Sequence, residues 1–199
     1  MQLSSYRLGD LVLLSLSDTE KQELIEENPN SLGSKYLLDT GVPYNNNIER
    51  ITKLVLENIE SCVHLLPNDI SESTVIHLRL GDVISGKQEH EALKRPFSVE
   101  YIKSIVTNTD KIYVIGKCFF AKTSSTNYEE CITSSNLYLQ NVLNALNATH
   151  FDSGNADIDL YCAVKAKVFV QGKGYFSKLI VEIRKELNLA NVETSVLST

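Results

Sequence analysis

The chain lacks long apolar runs and any close pairing of its cysteines. No stretch of about 18 consecutive apolar residues occurs, so no transmembrane segment is expected, and the first residues lack the basic-then-apolar order of a secretory signal. The cysteines lie far apart, at Cys62, Cys118, Cys131 and Cys162, without a Cys-x-x-Cys pair. A zinc site or dense disulfide framework is therefore not expected, and we predict a cytoplasmic protein with reduced cysteines.

The sequence also lacks an excess of positive charge. Nineteen lysines and arginines stand against 25 aspartates and glutamates, which gives a formal net charge of −6. Broad binding of nucleic acid or of an anionic membrane is therefore not expected, although the net charge does not exclude a local basic pocket for a phosphate group. What is present is ordinary globular composition, 43% apolar and 22% charged in 199 residues, which is enough for one well-buried domain.

Two parts of the chain differ in pattern. Residues 1–48 are interpreted as a short lead-in with an acidic helix over 18–27. From residue 49 onward, apolar residues recur at helical spacing and alternate with short β-branched runs, so 49–199 is predicted to form one α/β domain. The predicted strands are 75–80, 111–115, a short one near 150, and 168–170; the predicted helices are 48–59, 98–106, 137–146, 157–166 and 175–187, with a polar loop over 121–136.

This alternation predicts a Rossmann-like, mostly parallel sheet with helices on both faces. In such folds the ligand lies at the carboxyl ends of the strands, near a topological switch point. Glycine-containing turns follow three of the predicted strands, at 79–82, 116–117 and 171–174. The ligand is therefore expected at these turns.

The segment TVIHLRLGD, residues 74–82, carries the strongest functional signal. His77 and Arg79 are two residues apart on a predicted strand, so their side chains point to the same side. A guanidinium fork matches the oxygens of a diphosphate, and an imidazole adds one donor. Gly81 and Asp82 form the turn that follows. A satisfied core histidine and an Arg79–Asp82 pair are the structural alternative.

A second segment, GKGYFS at 172–177, joins a predicted strand to a predicted helix. Free N–H groups at a helix start, a lysine and a hydroxyl favour phosphate binding. The spacing matches neither a Walker A loop nor the dinucleotide fingerprint, so a purely structural turn stays open. The candidate binding residues here are Gly172, Lys173, Gly174, Tyr175, Phe176 and Ser177.

Together these segments resemble a known family. His-x-Arg-x-Gly-Asp at 77–82, RPFS at 95–98 with Tyr101, DIDL at 157–160 and the 167–180 segment follow one another as in the fucosyltransferase-like, GT-B-type glycosyltransferases. The resemblance covers about residues 74–188 and corresponds to the nucleotide-sugar-binding half of that fold. Two positions depart from it: Leu80 replaces a second arginine of many relatives, and 116–118 lacks an acidic pair.

The resemblance implies roles for individual residues. Arg79 would hold the β-phosphate and support its departure, with His77 and Gly81 lining the pocket. Ser177 would contact the phosphates, and Asp157 or Asp159 the base. Asp82 and Glu89 are the candidates for a catalytic base. For Asp82, however, a role in capping the turn or in orienting Arg79 is favoured over that of a base. For the Asp157/Asp159 pair, compensation of the helix dipole stays an equal alternative.

The implied reaction transfers a deoxyhexose such as fucose, from a nucleotide diphosphate donor expected to be GDP-linked, to a glycan hydroxyl with inversion. The family works without a metal, so no cofactor beyond the donor sugar is expected. About 70 N-terminal residues are too few for an acceptor domain, so we expect either that a second protomer or a neighbouring domain supplies the acceptor site, or that the chain is a fragment or a reduced homologue. The alternative is a non-catalytic nucleotide- or glycan-binding module of a larger assembly.

Overall fold

The computed structural model of the protein describes residues 18–40, 47–84, 96–106, 111–119 and 127–193. The α-helices in these ranges are α1 (Asp18–Glu27), α2 (Leu32–Thr40), α3 (Ile48–Cys62), α4 (Val99–Ile105), α5 (Tyr128–Leu146), α6 (Ala156–Lys165) and α7 (Tyr175–Glu186). The strands are β1 (Thr74–His77), β2 (Leu80–Gly81), β3 (Ile112–Ile115), β4 (Cys118–Phe119), β5 (Thr149–His150), β6 (Val168–Val170) and β7 (Asn191–Val192). None of these helices is long and apolar enough to cross a membrane.

Five strands form one parallel sheet in the order β5-β3-β1-β6-β7. Val75 of the central strand lies opposite Tyr113 of β3 on one side and opposite Phe169 of β6 on the other. Strands β2 and β4 form a separate two-stranded parallel pair beyond the ends of β1 and β3. The predicted Rossmann-like parallel sheet is thus confirmed.

Side chains that alternate along the strands feed two cores, one on each face of the sheet. Val75 and Phe169 pack with buried residues of α2, α3, α6 and α7. Their neighbours Ile76 and Val170 point to the other face and pack with α4 and α5. Because both faces are covered, the strands read as continuous apolar runs. Helices thus cover both faces of the sheet, as predicted.

The predicted polar loop over 121–136 is wrong in its second half, because α5 begins at Tyr128. Asn127 caps the helix by accepting the Glu130 N–H at 3.4 Å. Cys131 and Ser135 begin a narrow buried stripe that continues through the helix. Serine, threonine and asparagine favour loops locally, but burial of this stripe against the sheet outweighs that preference.

The lead-in segment contains one element that the sequence pattern missed. Besides α1, which is confirmed at its predicted bounds, α2 places Leu32, Tyr36 and Leu37 in the same core as α3, α6 and α7. Asp157, at the start of α6, accepts the Leu32 N–H at 2.9 Å and so caps α2. Residues 32–40 are therefore packed onto the α/β core, while the domain division at residue 48 stays a prediction.

Arg184, on α7, seals the amino edge of the sheet. Its side chain is fully buried, and the hydrogen bonds described for it all go to neutral oxygens. These acceptors lie at the end of α6 and around β7: the carbonyls of Ala163, Val164, Ala166, Lys167 and Ala190, and Oδ1 of Asn191, at 2.7–3.2 Å. Burial lowers the pKa of Arg184 to about 10, so the guanidinium stays charged at neutral pH.

Candidate functional site

A cleft opens at the carboxyl edge of the sheet, between the ends of β1 and β6. The chain runs outward from β1 through β3 to β5, then returns to β6 and β7 on the other side of β1. The ends of β1 and β6 are therefore the topological switch point, where ligands bind in open α/β sheets. The cleft holds about 260 Å³ of empty space, counting its open mouth. Its lining includes His77, Leu78, Arg79, Pro96, Phe97, Ile102, Ile105, Tyr138, Gln171, Gly172 and Lys173.

Arg79 lies where the chain leaves the sheet. The Leu78 N–H still donates to the Ile115 carbonyl at 2.9 Å, but the strand ends at His77, two residues before Arg79, and pairing resumes only at β2. The Nη2 of Arg79 donates to Oδ1 of Asp82 at 2.9 Å, and the two side chains are 19% and 13% exposed. Asp82 is therefore placed to orient the guanidinium, which lines the cleft.

His77 is held beneath the turn that follows β6. It is 6% exposed, and its ring lies 5.3 Å from the ring of Phe176 between centroids. A Cβ added at Gly172 would lie 2.1 Å from the His77 carbonyl oxygen, so only glycine fits there. The Gly172 N–H donates to Oγ of the fully buried Ser177 at 2.8 Å. Ser177 thus supports the turn from its buried side.

On the other side of β1, a second glycine allows the same close approach. Gly116, after β3, has φ +149°. A Cβ there would lie 2.4 Å from the Leu78 carbonyl oxygen. The main chain of residues 77–78 is therefore enclosed between Gly116 and Gly172. This packing fixes the backbone from which Arg79 extends.

Lys173 brings a second cation to the cleft. Its Nζ lies 4.9 Å from the centroid of the Phe97 ring, within cation–π range. Phe97 in turn packs against Tyr101 at 5.0 Å, and its carbonyl accepts the hydroxyl of Tyr138 at 2.7 Å. Burial raises the pKa of Tyr138, so this hydroxyl stays protonated as a donor. Tyr138 was not among the predicted site residues, because only the fold brings its helix to the cleft.

The start of α7 lies beside the guanidinium. Gly174 precedes the helix with φ +97°, and a Cβ there would lie 3.7 Å from Cδ of Arg79. A helix start carries partial positive charge and N–H donors. Tyr175, the first helical residue, is exposed, while Phe176 packs inward on His77. Arginine, lysine and helix N-terminus therefore converge on one opening.

The two predicted base-contacting aspartates lie outside the cleft lining. Asp157 is buried under α2, and burial raises its pKa. Asp159 accepts the Ser153 hydroxyl at 2.6 Å, and burial raises its pKa to about 6. Asp159 belongs to a polar cluster after β3 and β5, where Nζ of Lys117 lies 3.7 Å from Oδ1 of Asp152. This cluster lies on the same edge of the sheet as the cleft.

Gly81 is tied to α5 by a residue that the sequence pattern missed. Its N–H donates to Oγ of the fully buried Ser135 at 3.0 Å, and its φ is +93°. The preceding Leu80 is 2% exposed and pairs with Cys118 across β2 and β4. No sequence signal marks Ser135, since it lies in the segment predicted as a loop. Glu89, the other base candidate, lies outside the described residues.

Metal binding and disulfide formation both depend on how the histidine, cysteine and acidic side chains are grouped. Within the described ranges, no three or more His, Cys, Asp or Glu side chains are grouped so as to hold a metal ion. Metal independence stays a prediction of the family resemblance. The four cysteines form no disulfide: Cys131 and Cys162 are buried, and Cys62 and Cys118 are partly exposed.

Comparison with known proteins gives structural neighbours only. No family model matches the chain, and no curated protein matches it. The apo form of POFUT1 superposes with TM-score 0.43 and 13% identity, covering 83% of this chain and 59% of that one. POFUT1 in complex with GDP-fucose gives TM-score 0.38 and 14% identity, covering 80% and 56%. The chain thus spans less than two thirds of the length of either neighbour.

Proposed function

We propose that the cleft binds the diphosphate of a nucleotide sugar, and that the chain is the donor-binding half of a glycosyltransferase. The observation that carries the proposal is the position of Arg79 and Lys173, on neighbouring strand ends at the switch point and beside the start of α7. Two cations and a helix start facing one opening suit a ligand that carries two adjacent phosphates. The sequence resemblance supplies the finer expectation, a GDP-linked deoxyhexose such as fucose.

The reaction makes a specific electrostatic demand on this site. The bond between the sugar C1 and the β-phosphate oxygen breaks, and its electron pair stays on the leaving diphosphate. The acceptor hydroxyl oxygen bonds to C1 from the opposite face and loses its proton to a base. Arg79, oriented by Asp82, and the N–H groups at the start of α7 stabilise the negative charge as it builds up.

The cations of the cleft suggest which part of the donor it holds. Because Arg79 and Lys173 both line the cleft, we assign the diphosphate to it and the nucleobase to the carboxyl edge of the sheet beside it. Asp159 is the better placed of the two predicted base-contacting residues, because Asp157 is committed to the Leu32 N–H.

One observation favours the alternative, a non-catalytic binding module. Among the described residues that line the cleft, none is an aspartate or a glutamate. The nearby Asp82 is paired with Arg79, which favours an orienting role over proton abstraction. A module of this kind would bind the nucleotide diphosphate as tightly as the enzyme does but would not turn it over.

Calorimetric titration of the chain with GDP, UDP, dTDP and GDP-fucose tests the proposal. We expect GDP and GDP-fucose to bind, and Arg79→Ala to weaken GDP binding about ten- to a hundredfold, the loss of about 1.5–3 kcal/mol for a charge-assisted contact. The matched control is Arg50→Ala, because Arg50 is also paired with an aspartate, Asp39, but on an exposed surface far along the chain.

The outcomes separate the two functions. The binding proposal fails if no nucleotide diphosphate binds at millimolar concentration, or if Arg79→Ala and Arg50→Ala bind equally well. Where GDP-fucose binds, its hydrolysis or transfer above the buffer rate supports the glycosyltransferase. Binding without turnover, with any acceptor glycan offered, supports the module.

A further inference from the structure

Two buried serines support the two turns that form the cleft. Ser177 accepts the Gly172 N–H at 2.8 Å, and Ser135 accepts the Gly81 N–H at 3.0 Å. Both serines are fully buried, and each bonds to a glycine after the end of a central strand. The Ser177 bond is local, since five residues separate its partners, whereas 54 residues separate Gly81 from Ser135. The Ser135 bond therefore ties a separate helix, α5, to the turn after β1.

We propose that Ser135 is a positioning residue that sets Arg79 for diphosphate binding. Gly81 lies between Arg79 and Asp82 in the turn, next to the carboxylate that orients the guanidinium. With its φ of +93°, Gly81 has a backbone conformation that side-chain-bearing residues rarely adopt, and its N–H must point away from the cleft toward α5. Fixing this N–H fixes the plane of the Leu80–Gly81 peptide, from which the chain continues into Asp82.

Two further contacts of the turn are a hydrogen bond from the Ile84 N–H to the Gly81 carbonyl at 3.2 Å and the pairing of β2 with β4. Leu80 and Gly81 pair only with the two residues of β4, Cys118 and Phe119, a ladder too short to define a geometry alone. Without the Ser135 oxygen, the Gly81 N–H would be buried beside an apolar helix face with no acceptor, and the turn would shift to find one. Asp82 and the Arg79 fork would move with it.

The inference rests on the proposed function where GDP affinity is the readout. Ser135→Ala should weaken GDP binding about three- to tenfold, the range that loss of one neutral hydrogen bond corresponds to. The matched control is Ser73→Ala. Ser73 is another fully buried serine, it directly precedes β1, and its hydroxyl donates to the Asp69 carbonyl at 2.7 Å. Ser73→Ala should lower the unfolding free energy and leave GDP affinity unchanged.

Two further measurements distinguish positioning from general support. The Nε–Hε nitrogen resonance of Arg79 in the ligand-free protein, assigned by its loss in Arg79→Lys, should shift in Ser135→Ala and not in Ser73→Ala. In a double-mutant cycle, Ser135→Ala with Asp82→Asn should weaken GDP binding by less than the product of the two single effects, because both act through Arg79.

The outcomes are separable. Unchanged GDP affinity and an unchanged Arg79 resonance in Ser135→Ala overturn the inference, while the proposed function stands. If the wild type binds none of the nucleotide diphosphates, the proposed function fails, and the Arg79 resonance alone decides the inference. If Ser135→Ala does not fold, Ser135→Cys, which keeps a weak acceptor, replaces it in the same measurements, with a smaller effect in the same direction.

Discussion

The amino and carboxyl edges of the same sheet each hold an arginine, and the two arginines are used differently. At the amino edge, Arg184 is fully buried and its resolved contacts are all with neutral oxygens of the main chain and of Asn191. At the carboxyl edge, Arg79 is 19% exposed in a cleft and contacts the carboxylate of Asp82. The Arg184 guanidinium donates to carbonyls of the fold, whereas the Arg79 guanidinium is oriented by Asp82 beside the cleft.

The surroundings of the two arginines explain this difference. Arg184 satisfies carbonyls that the end of α6 leaves unpaired, so its donors are needed for folding. Arg79 follows a strand end enclosed by glycines, and Asp82 holds it without filling the cleft. A buried cation among neutral acceptors thus indicates architecture, whereas a cation oriented by a carboxylate at a switch point indicates a binding site.

Replacing Arg184 should have the largest effect on stability. Arg184→Met keeps much of the apolar volume but leaves several buried carbonyls without donors. We expect the unfolding free energy to fall by about 3 kcal/mol or more. Urea denaturation measures it, with Arg79→Met as the matched variant, which removes the donors to one carboxylate and should cost less in stability than Arg184→Met. Equal losses at the two positions would remove the distinction between the edges.

Asp159 at the carboxyl edge and Asp69 at the amino edge should change the unfolding free energy in opposite directions as the pH rises. Burial raises the pKa of Asp159, at the carboxyl edge, from 3.8 to about 6. The folded state therefore holds this proton more tightly than the unfolded state, and the stabilisation is complete below about pH 4 and lost as the pH rises through 6. Asp159→Asn should remove this loss, so relative to the variant the wild type should lose about 2–3 kcal/mol between pH 4 and pH 7.

Asp69, at the amino edge, provides the contrast. A hydrogen bond from the Tyr113 hydroxyl holds the pKa of Asp69 below its usual range. Its contribution to stability is therefore present above the ordinary aspartate pKa and is lost as the pH falls through the lowered value. Urea denaturation of Asp159→Asn and Asp69→Asn across pH 3–7 checks both signs. A wild-type-minus-Asp159→Asn difference that is the same at pH 4 and pH 7 would contradict the prediction.

At the carboxyl edge, the shape of the cation should matter as much as its charge. Arg79→Lys should bind GDP nearly as weakly as Arg79→Ala, about tenfold or more below the wild type, because an ammonium cannot reproduce a fork of donors. Calorimetry at two salt concentrations measures this. Restoration of wild-type affinity by lysine would show that Arg79 acts as a point charge.

The smallest effect is expected at Lys173. Its ammonium lies over the Phe97 ring and contributes one cationic contact to the cleft. Lys173→Ala should weaken GDP binding by about 1 kcal/mol, or about fivefold. Lys185→Ala serves as the control and should leave the affinity unchanged, because Lys185 is an exposed lysine at the amino edge, where its Nζ lies 2.8 Å from Oε1 of Glu193. A Lys173 effect as large as that of Arg79 would mean that the two cations contribute equally.

Local sequence signals predicted the central parallel sheet well, but the strand predicted over 75–80 to carry both His77 and Arg79 ends at His77, so Arg79 lies beyond it. Three of these signals each lie within a few consecutive residues. They are the Ser98 cap of α4, the apolar run of β6 and the glycine turn at 172–174. The start of α5 was misread, because the polar composition around Ser135 favours a loop until the helix packs against the sheet. Asp157 shows the other limit, since its partner Leu32 is 125 residues away.

The enclosure of residues 77–78 between Gly116 and Gly172 has a consequence for how the protein tolerates mutation. The main chain of residues 77–78 runs beside the cleft, and no substitution at His77 or Leu78 removes it. Side chains around the opening can change and alter which anion enters, while this stretch of main chain keeps its place. Gly116 and Gly172 contribute no side chain at all, yet they are the positions at which a change of residue would alter the site for every ligand.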